Sequence, residues 1–194
     1  MLRTNQAFLD YTETLYTKQE RKEDIVIRHY VPGQRLLSQQ ETATKVLLIK
    51  AGVTKCYFTE SNDKAYILEF LGAGEIVGDI ELIRHIPCLC NVEAMTSVTA
   101  YAFSVAYFHM LLQKDLTLNG LMLDVFAERI INTSSRASYQ QLHTVEHSLS
   151  KLLAMQVKQG MTLSKEDMAS YLGVTLRTLN RGLKHIADME IKLK

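Results

Sequence analysis

The sequence has no tryptophan, two prolines and three cysteines among its 194 residues. A small, odd number of cysteines argues against a disulfide-stapled scaffold, and we expect a reducing compartment, the cytoplasm. No apolar run reaches the length of about 18 residues that a membrane-spanning helix needs, so we expect no membrane partner. The first ten residues also lack the basic-then-apolar pattern of a secretion signal.

An excess of charge of one sign is also lacking, because 22 basic and 21 acidic side chains leave a formal net charge of +1. Hydrophobic residues make up 47% of the chain, as in ordinary globular proteins. The charge balance differs along the chain, since residues 1–110 contain 11 basic and 13 acidic side chains and residues 111–194 contain 11 and 8. The mildly basic C-terminal part gives a first, slight indication of a nucleic-acid partner.

Two sequence patterns divide the chain. Short β-rich runs separated by turn residues occupy about residues 24–104 and predict a sandwich or barrel, in which residues 45–50 and 53–58 form a hairpin-like pair. Helical spacing dominates from about residue 105, and it predicts a long helix over 115–139 and another over 144–158.

The long predicted helix is apolar on two sides and therefore needs two partners. One side, the 118–125 stripe, consists of Leu118, Leu121, Met122 and Val125. The other side, the 123–130 stripe, consists of Leu123, Phe126 and Ile130. The second partner is either another helix of this chain or a second subunit, and a central core helix is the alternative.

The stretch from residue 162 to 186 predicts two helices joined by a tight turn. Ser164 is placed to cap the first helix, Gly173 to end it, and Thr175 to cap the second. The outer face of the second helix is basic and polar and contains Arg177, Thr178, Asn180, Arg181 and Lys184. This layout is that of a helix-turn-helix, and Arg and Asn can recognise guanine and adenine edges through paired hydrogen bonds. The pattern predicts binding to double-stranded DNA, with a helical hairpin that binds nothing as the alternative.

Residues 169–184 resemble the DNA-binding half of the CRP/FNR family of bacterial transcription regulators. Residues 31–34 (Val-Pro-Gly-Gln) resemble the family's early turn, and residues 48–52 (Leu-Ile-Lys-Ala-Gly) resemble its strand-to-glycine signature. Residues 74–82 resemble the start of its phosphate-binding cassette, and the run 78–83 is similar to the YeiL type. The order of these motifs follows the family across almost the entire chain.

This resemblance implies an α+β fold in three parts. A cyclic-nucleotide-binding-like β-roll, or jelly roll, over residues 1–112 would sense an effector. A long helix over 113–142 would pair with its copy in a parallel homodimer through the 118–125 stripe. A winged helix-turn-helix would follow over 143–194, with residues 191–194 as the first strand of a wing that is truncated or reduced.

The resemblance also implies how DNA is bound. The second helix of the motif would enter the major groove, and the two copies would recognise a palindrome with half-sites one DNA turn apart. The implied DNA-binding residues are Thr175, Leu176, Arg177, Thr178, Asn180, Arg181 and Lys184. Many members carry Glu where this chain has Arg177, so we expect a different operator preference. RNA polymerase is a further partner that the family suggests.

The effector side departs from the members that bind cyclic nucleotides, which use a Glu for the ribose and an Arg for the cyclic phosphate. Glu75 stands at the place of that Glu, but Cys88 or Leu89 falls where the arginine should be, and neither offers a cationic fork. We therefore expect no cyclic nucleotide, and the small-molecule effector stays unidentified. The candidate effector residues are Gly74, Glu75, Gly78, Asp79, Cys88, Leu89 and Cys90.

Three cysteines fall short of the four thiolates that an iron–sulfur cluster usually requires, so we expect neither a cluster nor another metal site. Cys88 and Cys90 lie two apart in a predicted strand and would share one face, which makes them either a redox switch or two small semi-buried residues. No catalytic motif occurs, so we do not expect an enzyme.

Three hypotheses about function follow. The first is a dimeric DNA-binding transcription regulator that is controlled by a signal at the roll. The second is a small-molecule sensor whose helical end binds a protein partner, in which case replacing Arg177 and Arg181 with Ala would leave function intact. The third is a constitutive regulator with an empty roll.

Overall fold

The computed structural model describes residues 2–62 and 64–192, with side chains as far as Met189. These residues form two compact units. The first, here called the roll unit, comprises residues 2–59 and 68–126. The second, called the helical unit, comprises the described parts of residues 60–67 and 127–192. No helix of the described ranges is both long and apolar enough to cross a membrane.

The N-terminal elements are mostly strands. They are β1 (Leu2–Arg3), α1 (Gln6–Lys18), β2 (Ile25–Tyr30), β3 (Arg35–Leu37), β4 (Lys45–Ala51), β5 (Thr54–Thr59), β6 (Ala65–Leu71), β7 (Ile76–Val77), α2 (Asp79–Arg84), β8 (Asn91–Ala94) and β9 (Val98–Ser104). The remaining elements are α3 (Val105–Lys114), α4 (Leu116–Leu142), α5 (Val145–Gln159), α6 (Lys165–Leu172) and α7 (Leu176–Lys192). The predicted division into a β-rich part and a helical part is confirmed.

The strands form two sheets of the β-roll type, as expected. One has five strands in the order β1-β6-β5-β8-β3, and the other has four in the order β2-β9-β4-β7. The hairpin predicted between residues 45–50 and 53–58 is wrong, because β4 and β5 belong to different sheets. The chain crosses between the sheets at Gly52, whose φ is +95° and where a Cβ would overlap the Ser97 carbonyl oxygen. The predicted strand over residues 92–104 likewise divides into β8 and β9.

One core cluster of the roll unit combines aromatic and aliphatic side chains from α1, the four-stranded sheet, α2, α3 and the first turns of α4. Phe8, Phe103 and Phe108 are fully buried in it, and the last two rings meet edge to face at 5.6 Å. Burying a side chain of this size contributes about 1.5–3 kcal/mol. Leu118, Met122 and Val125 belong to the same cluster.

In the helical unit the predicted boundary residues are confirmed. The Ser164 hydroxyl accepts a hydrogen bond from the Asp167 N–H and so caps α6, and Gly173 ends that helix with a φ of +69°. The strand predicted over 191–194 is wrong at Ile191 and Lys192, which continue helix α7. The apolar spacing that starts α7 meets no proline and no terminating glycine before that point. Leu193 and Lys194 lie outside the described residues.

Candidate functional site

Helix α7 has one buried side and one exposed polar side. Leu179 and Gly182 are buried, and Leu183 is half-buried. The residues of the predicted DNA-binding set that are exposed are Thr175, Leu176, Arg177, Asn180, Arg181 and Lys184; Thr178 is half-buried. The four exposed polar members within the helix are Arg177, Asn180, Arg181 and Lys184. Asn180, Arg181 and Lys184 follow Arg177 by three, four and seven residues, which places the four on one face of the helix.

The first turn of α7 is held by two hydroxyl groups. The Thr175 hydroxyl accepts a hydrogen bond from the Thr178 N–H at 3.2 Å, and the two side-chain oxygens are 3.0 Å apart. The Val174 N–H donates to the Ala169 carbonyl oxygen across the turn. Thr175 and Thr178 therefore fix the start of the helix, and the positions of Arg177, Asn180 and Arg181 follow from it.

Helix α7 packs closely on α5 because residue 182 is glycine. A Cβ at Gly182 would lie 3.1 Å from Leu149 Cδ2, and Leu149 is fully buried. The sequence analysis assigned no role to this glycine. Its packing role follows from its position beside the buried Leu179 and opposite the exposed cations.

Arg136 is a cation of the helical unit that sequence reasoning missed. Its guanidinium lies 4.1 Å from the ring centre of Tyr171 and 4.9 Å from that of Tyr66, and it donates a hydrogen bond to the Tyr171 carbonyl oxygen. The Tyr66 hydroxyl donates to Gln140 Oε1 at 2.8 Å. Arg136 thus tethers the end of α6, directly before the turn at Gly173, to α4.

Glu146, in the first turn of α5, has electrostatic contact with the basic face. A hydrogen bond from its own backbone N–H, and another from Thr144, lower the pKa of Glu146, with smaller contributions from His185 and Arg181 and opposition from burial. Arg181 therefore lies near one acidic side chain but forms no ion pair with it among the described residues.

The predicted effector residues occupy two stretches of the roll unit. Gly74 and Glu75 lie between β6 and β7, and Gly78 and Asp79 begin α2. Glu75 and Asp79 are both buried. Cys88, Leu89 and Cys90 lie in a bend before β8, not in a strand, so the argument that Cys88 and Cys90 share one strand face is wrong.

The Glu75 carboxylate is already bound by a cation of the same chain. Arg3 Nη2 donates to Glu75 Oε2 at 2.9 Å, and Nη1 of the same guanidinium donates to Glu69 Oε2. Arg3 and Glu75 are 5% and 0% exposed. Strand β1 positions Arg3 by pairing in parallel with β6, and no local signal in the sequence could have revealed a pair 72 residues apart.

Hydrogen bonds to Glu81, Glu41 and Gln40 hold the bend over residues 86–90. No cationic side chain stands at Cys88 or Leu89, where the phosphate arginine was expected. Glu81 Oε1 accepts a hydrogen bond from the Leu89 N–H at 3.1 Å, and the Cys88 N–H and carbonyl bond to the Glu41 and Gln40 backbones. The Leu89 side chain is 44% exposed. Arg84, the nearest arginine in the sequence, is exposed in the last turn of α2.

The two apolar stripes of α4 have opposite environments. In the 118–125 stripe, Leu118, Met122 and Val125 are buried in the core of the roll unit, and Leu121 packs against it. That core already occupies the surface we had assigned to a dimer partner. In the other stripe, Leu123 and Ile130 are 70% and 67% exposed, although Phe126 packs against the core.

Residues 27–115 match the family model of the cyclic nucleotide-binding domain. A protein of Lacticaseibacillus casei named "Probable transcriptional regulator flp" is 25% identical over 162 residues, which are 80% of this chain and 74% of that protein. A structure from Eubacterium rectale, described as a transcriptional regulator of the CRP/FNR family, superposes with a TM-score of 0.76 at 14% identity. The alignment covers 90% of this chain and 87% of that one. The chain is thus similar to transcriptional regulators of the CRP/FNR type.

The likeness of fold extends over nearly the whole chain. The regulator CLP of Xanthomonas campestris, described as c-di-GMP responsive, superposes with a TM-score of 0.76 at 17% identity over 95% of this chain and 91% of CLP. At such low identity the likeness concerns the fold alone. The chemistry of the roll and of α7 has to be argued from the residues that this chain has.

Proposed function

We propose that this protein is a homodimer that binds a palindromic DNA operator through helix α7 and is controlled by a signal at the roll unit. The observation that carries the proposal is the single exposed face of α7 formed by Arg177, Asn180, Arg181 and Lys184. These side chains project from a capped helix whose opposite side is buried, in the geometry that a recognition helix needs.

The chemistry of this face fits base recognition better than nonspecific attraction. Arginine can bind guanine O6 and N7 with two hydrogen bonds, and asparagine can bind adenine N6 and N7 in the same way. Each such pair contributes about 1–3 kcal/mol of discrimination against the wrong base. Arg177, Asn180 and Arg181 are therefore proposed to contact bases, while Lys184 is suited to a phosphate.

The exposed stripe of α4 supports dimerisation. Leu116, Leu123 and Ile130 are seven residues apart and all exposed, which is the repeat of a two-stranded coiled coil. An apolar row of this length facing water is unfavourable unless a partner covers it. We propose that the 123–130 stripe, extended to Leu116, forms the seam with a second copy. A two-fold axis along that seam would give the two α7 helices the symmetry of a palindrome.

The roll unit supports control by something other than a cyclic nucleotide. Arg3 engages the Glu75 carboxylate, and Leu89 offers no hydrogen bond to a phosphate. Neither Cys88 nor Leu89, one of which falls where the phosphate arginine is expected, offers a cationic fork to a bound cyclic phosphate.

The test is selection of random-sequence DNA duplexes by the purified chain at one fixed, near-physiological salt concentration. We expect enrichment of a palindrome whose half-site centres are about 10–10.5 base pairs apart. Arg181→Ala should abolish the enrichment, whereas Arg21→Ala, which removes a highly exposed arginine of the roll unit, should not.

Failure would be informative in two ways. If enrichment appears only when a cell extract is added, a signal is needed for binding. If it appears in neither condition, or if Arg181→Ala enriches the same palindrome as the unmodified chain, α7 does not recognise DNA, and the sensor with a protein partner becomes the better hypothesis.

A further inference from the structure

Two of the three cysteines of the roll unit are in direct contact although 34 residues separate them. Cys56 lies in β5, and Cys90 directly precedes β8, which pairs with β5 in antiparallel register. Cys56 is opposite Val92 in that register, and Cys90 lies two residues before Val92, at the end of the bend that leads into β8. The two Sγ atoms are 2.7 Å apart.

We propose that Cys56 and Cys90 are a thiol modification site, at which a small disulfide compound converts the two thiols into a reversible intramolecular disulfide. A disulfide bond is about 2.05 Å long, so the sulfur atoms need to approach by only about 0.7 Å. Strand pairing already fixes the two backbones beside each other, so the bond requires no rearrangement of the sheet.

The exposure of the three thiols sets the order of the steps. Cys90 is partly exposed, while Cys56 and Cys88 are buried. The Cys90 thiolate attacks one sulfur of the small disulfide, forms a mixed disulfide and releases one small thiolate. The Cys56 thiolate then attacks Cys90 Sγ and releases the second small thiolate. The two protein thiols are oxidised, their two protons pass to the released thiolates, and the small disulfide is reduced to two thiols.

Cys88, which the sequence pattern paired with Cys90, is poorly suited to this reaction. Burial, followed by the nearby Glu81 and Cys90, raises the pKa of the Cys88 thiol to about 11. The thiolate is the reactive form, so little of it exists at neutral pH. Both backbone groups of Cys88 are also held by hydrogen bonds to Gln40 and Glu41. Cys88 therefore serves as the internal control.

The proposed bond would connect β5 to the bend that carries Leu89, one of the predicted effector positions. It would close the chain between residues 56 and 90 and so restrict the unfolded state more than the folded state. The oxidation state of Cys56 and Cys90 would then be a signal at the roll unit that requires no bound ligand. This inference does not depend on DNA binding by α7.

The experiment treats the native, folded chain with oxidised glutathione at pH 8, stops exchange with acid, and then denatures and alkylates the protein. Intact mass should show three alkyl groups on the reduced chain and one on the oxidised chain. Peptide mapping should identify the link as Cys56 to Cys90, and dithiothreitol should restore three alkylation sites. The oxidised chain should also melt at a higher temperature than the reduced chain.

Variants separate the roles of the three cysteines. Cys88→Ser should still lose two alkylation sites on oxidation. Cys56→Ser should stop at the mixed disulfide and retain one glutathione on Cys90, while Cys90→Ser should acquire no internal bond. Circular dichroism on each variant shows whether it is folded. If one variant is unfolded, the peptide map of the unmodified chain still tests the proposal.

Three outcomes would overturn the proposal. One is that the unmodified chain still takes up three alkyl groups after treatment at every ratio of oxidised glutathione to protein. Another is a map that links Cys88 to Cys90. The last is a disulfide found only between two copies of the chain.

Discussion

The roll unit buries some of its charged side chains, whereas the helical unit buries none among the residues with described side chains. Arg3, Glu75, Asp79 and Glu81 of the roll unit are buried. In the helical unit, the residues that are buried among those with described side chains are apolar or glycine, and the cations on one face of α7 are exposed. An ion buried without a partner costs several kcal/mol, so buried charges have to be compensated inside the protein. The buried charges of the roll unit thus belong to its fold, while the exposed cations on α7 remain available to a polyanion.

Breaking the buried network should give the largest effect. Arg3→Met leaves the buried Glu75 without this cation, and removing one partner of a buried pair typically costs about 3–5 kcal/mol. We expect a loss of that order in the free energy of unfolding, measured by urea denaturation. The matched control is Arg21→Met, because the Arg21–Glu23 pair is highly exposed at the surface and should contribute little to stability.

A double variant sharpens this result. Arg3→Met combined with Glu75→Gln removes both charges and should recover part of the loss, because no uncompensated carboxylate then remains buried. Equal losses in the free energy of unfolding for Arg3→Met and Arg21→Met would contradict the view that the stability of the roll unit depends on its buried ions.

The next effect concerns the apolar surface of α4. Leu123→Glu places a charge in the proposed seam and should weaken dimerisation at least about tenfold, which corresponds to about 1.4 kcal/mol. Sedimentation equilibrium over a range of concentrations measures it. Gln113→Glu adds the same charge at an exposed position of α3 and should leave the mass unchanged. If the unmodified chain is a monomer throughout, the seam is wrong.

A smaller effect is expected at Asp115, a half-buried charged residue of the roll unit. The Tyr11 hydroxyl donates a hydrogen bond to Asp115 Oδ2 at 2.7 Å. Burial raises the pKa of Asp115, but this hydrogen bond and those from the Leu118 and Thr117 N–H groups outweigh it and lower the pKa overall. A carboxyl with a lowered pKa stabilises the fold above its unfolded pKa of about 3.9, and that stabilisation is lost as the pH falls through the folded value.

Tyr11→Phe should therefore reduce the free energy of unfolding by about 1–2 kcal/mol at pH 7. The difference from the unmodified chain should shrink as the pH falls through the lowered pKa of Asp115 and its carboxyl becomes protonated. Tyr16→Phe, whose ring packs against Tyr101, is the comparison variant. A difference that stays constant down to pH 2 would show that the Asp115 charge is not involved.

The parts of the molecule that could be predicted are those encoded by local signals. Ser164 and Gly173 mark helix ends by chemistry that acts over a few residues, and the apolar spacing of α7 identifies its buried side. The family motifs then supply the roll. These signals were sufficient for the exposed face of α7, because exposure follows from the helical period.

The rest depends on contacts between distant positions. The pairs Arg3–Glu75 and Cys56–Cys90 are separated by 72 and 34 residues, and neither has a local signature. The two stripes of α4 are both apolar, so their composition could not indicate which one the core of the roll unit takes. The crossing at Gly52 resembles a hairpin turn in sequence, and only the pairing of β4 with β9 distinguishes the two.

The central claim is that the exposed charges of α7 bind DNA while the arginines of the roll unit do not. The most direct measurement is the affinity of the chain for its selected operator, by fluorescence anisotropy at several salt concentrations. Arg181→Ala should weaken the free energy of binding by about 1–3 kcal/mol. Lys184→Ala should reduce the slope of log affinity against log salt concentration by about one. Arg21→Ala should match the unmodified chain. Equal affinity and equal salt slopes for all four proteins would contradict the claim.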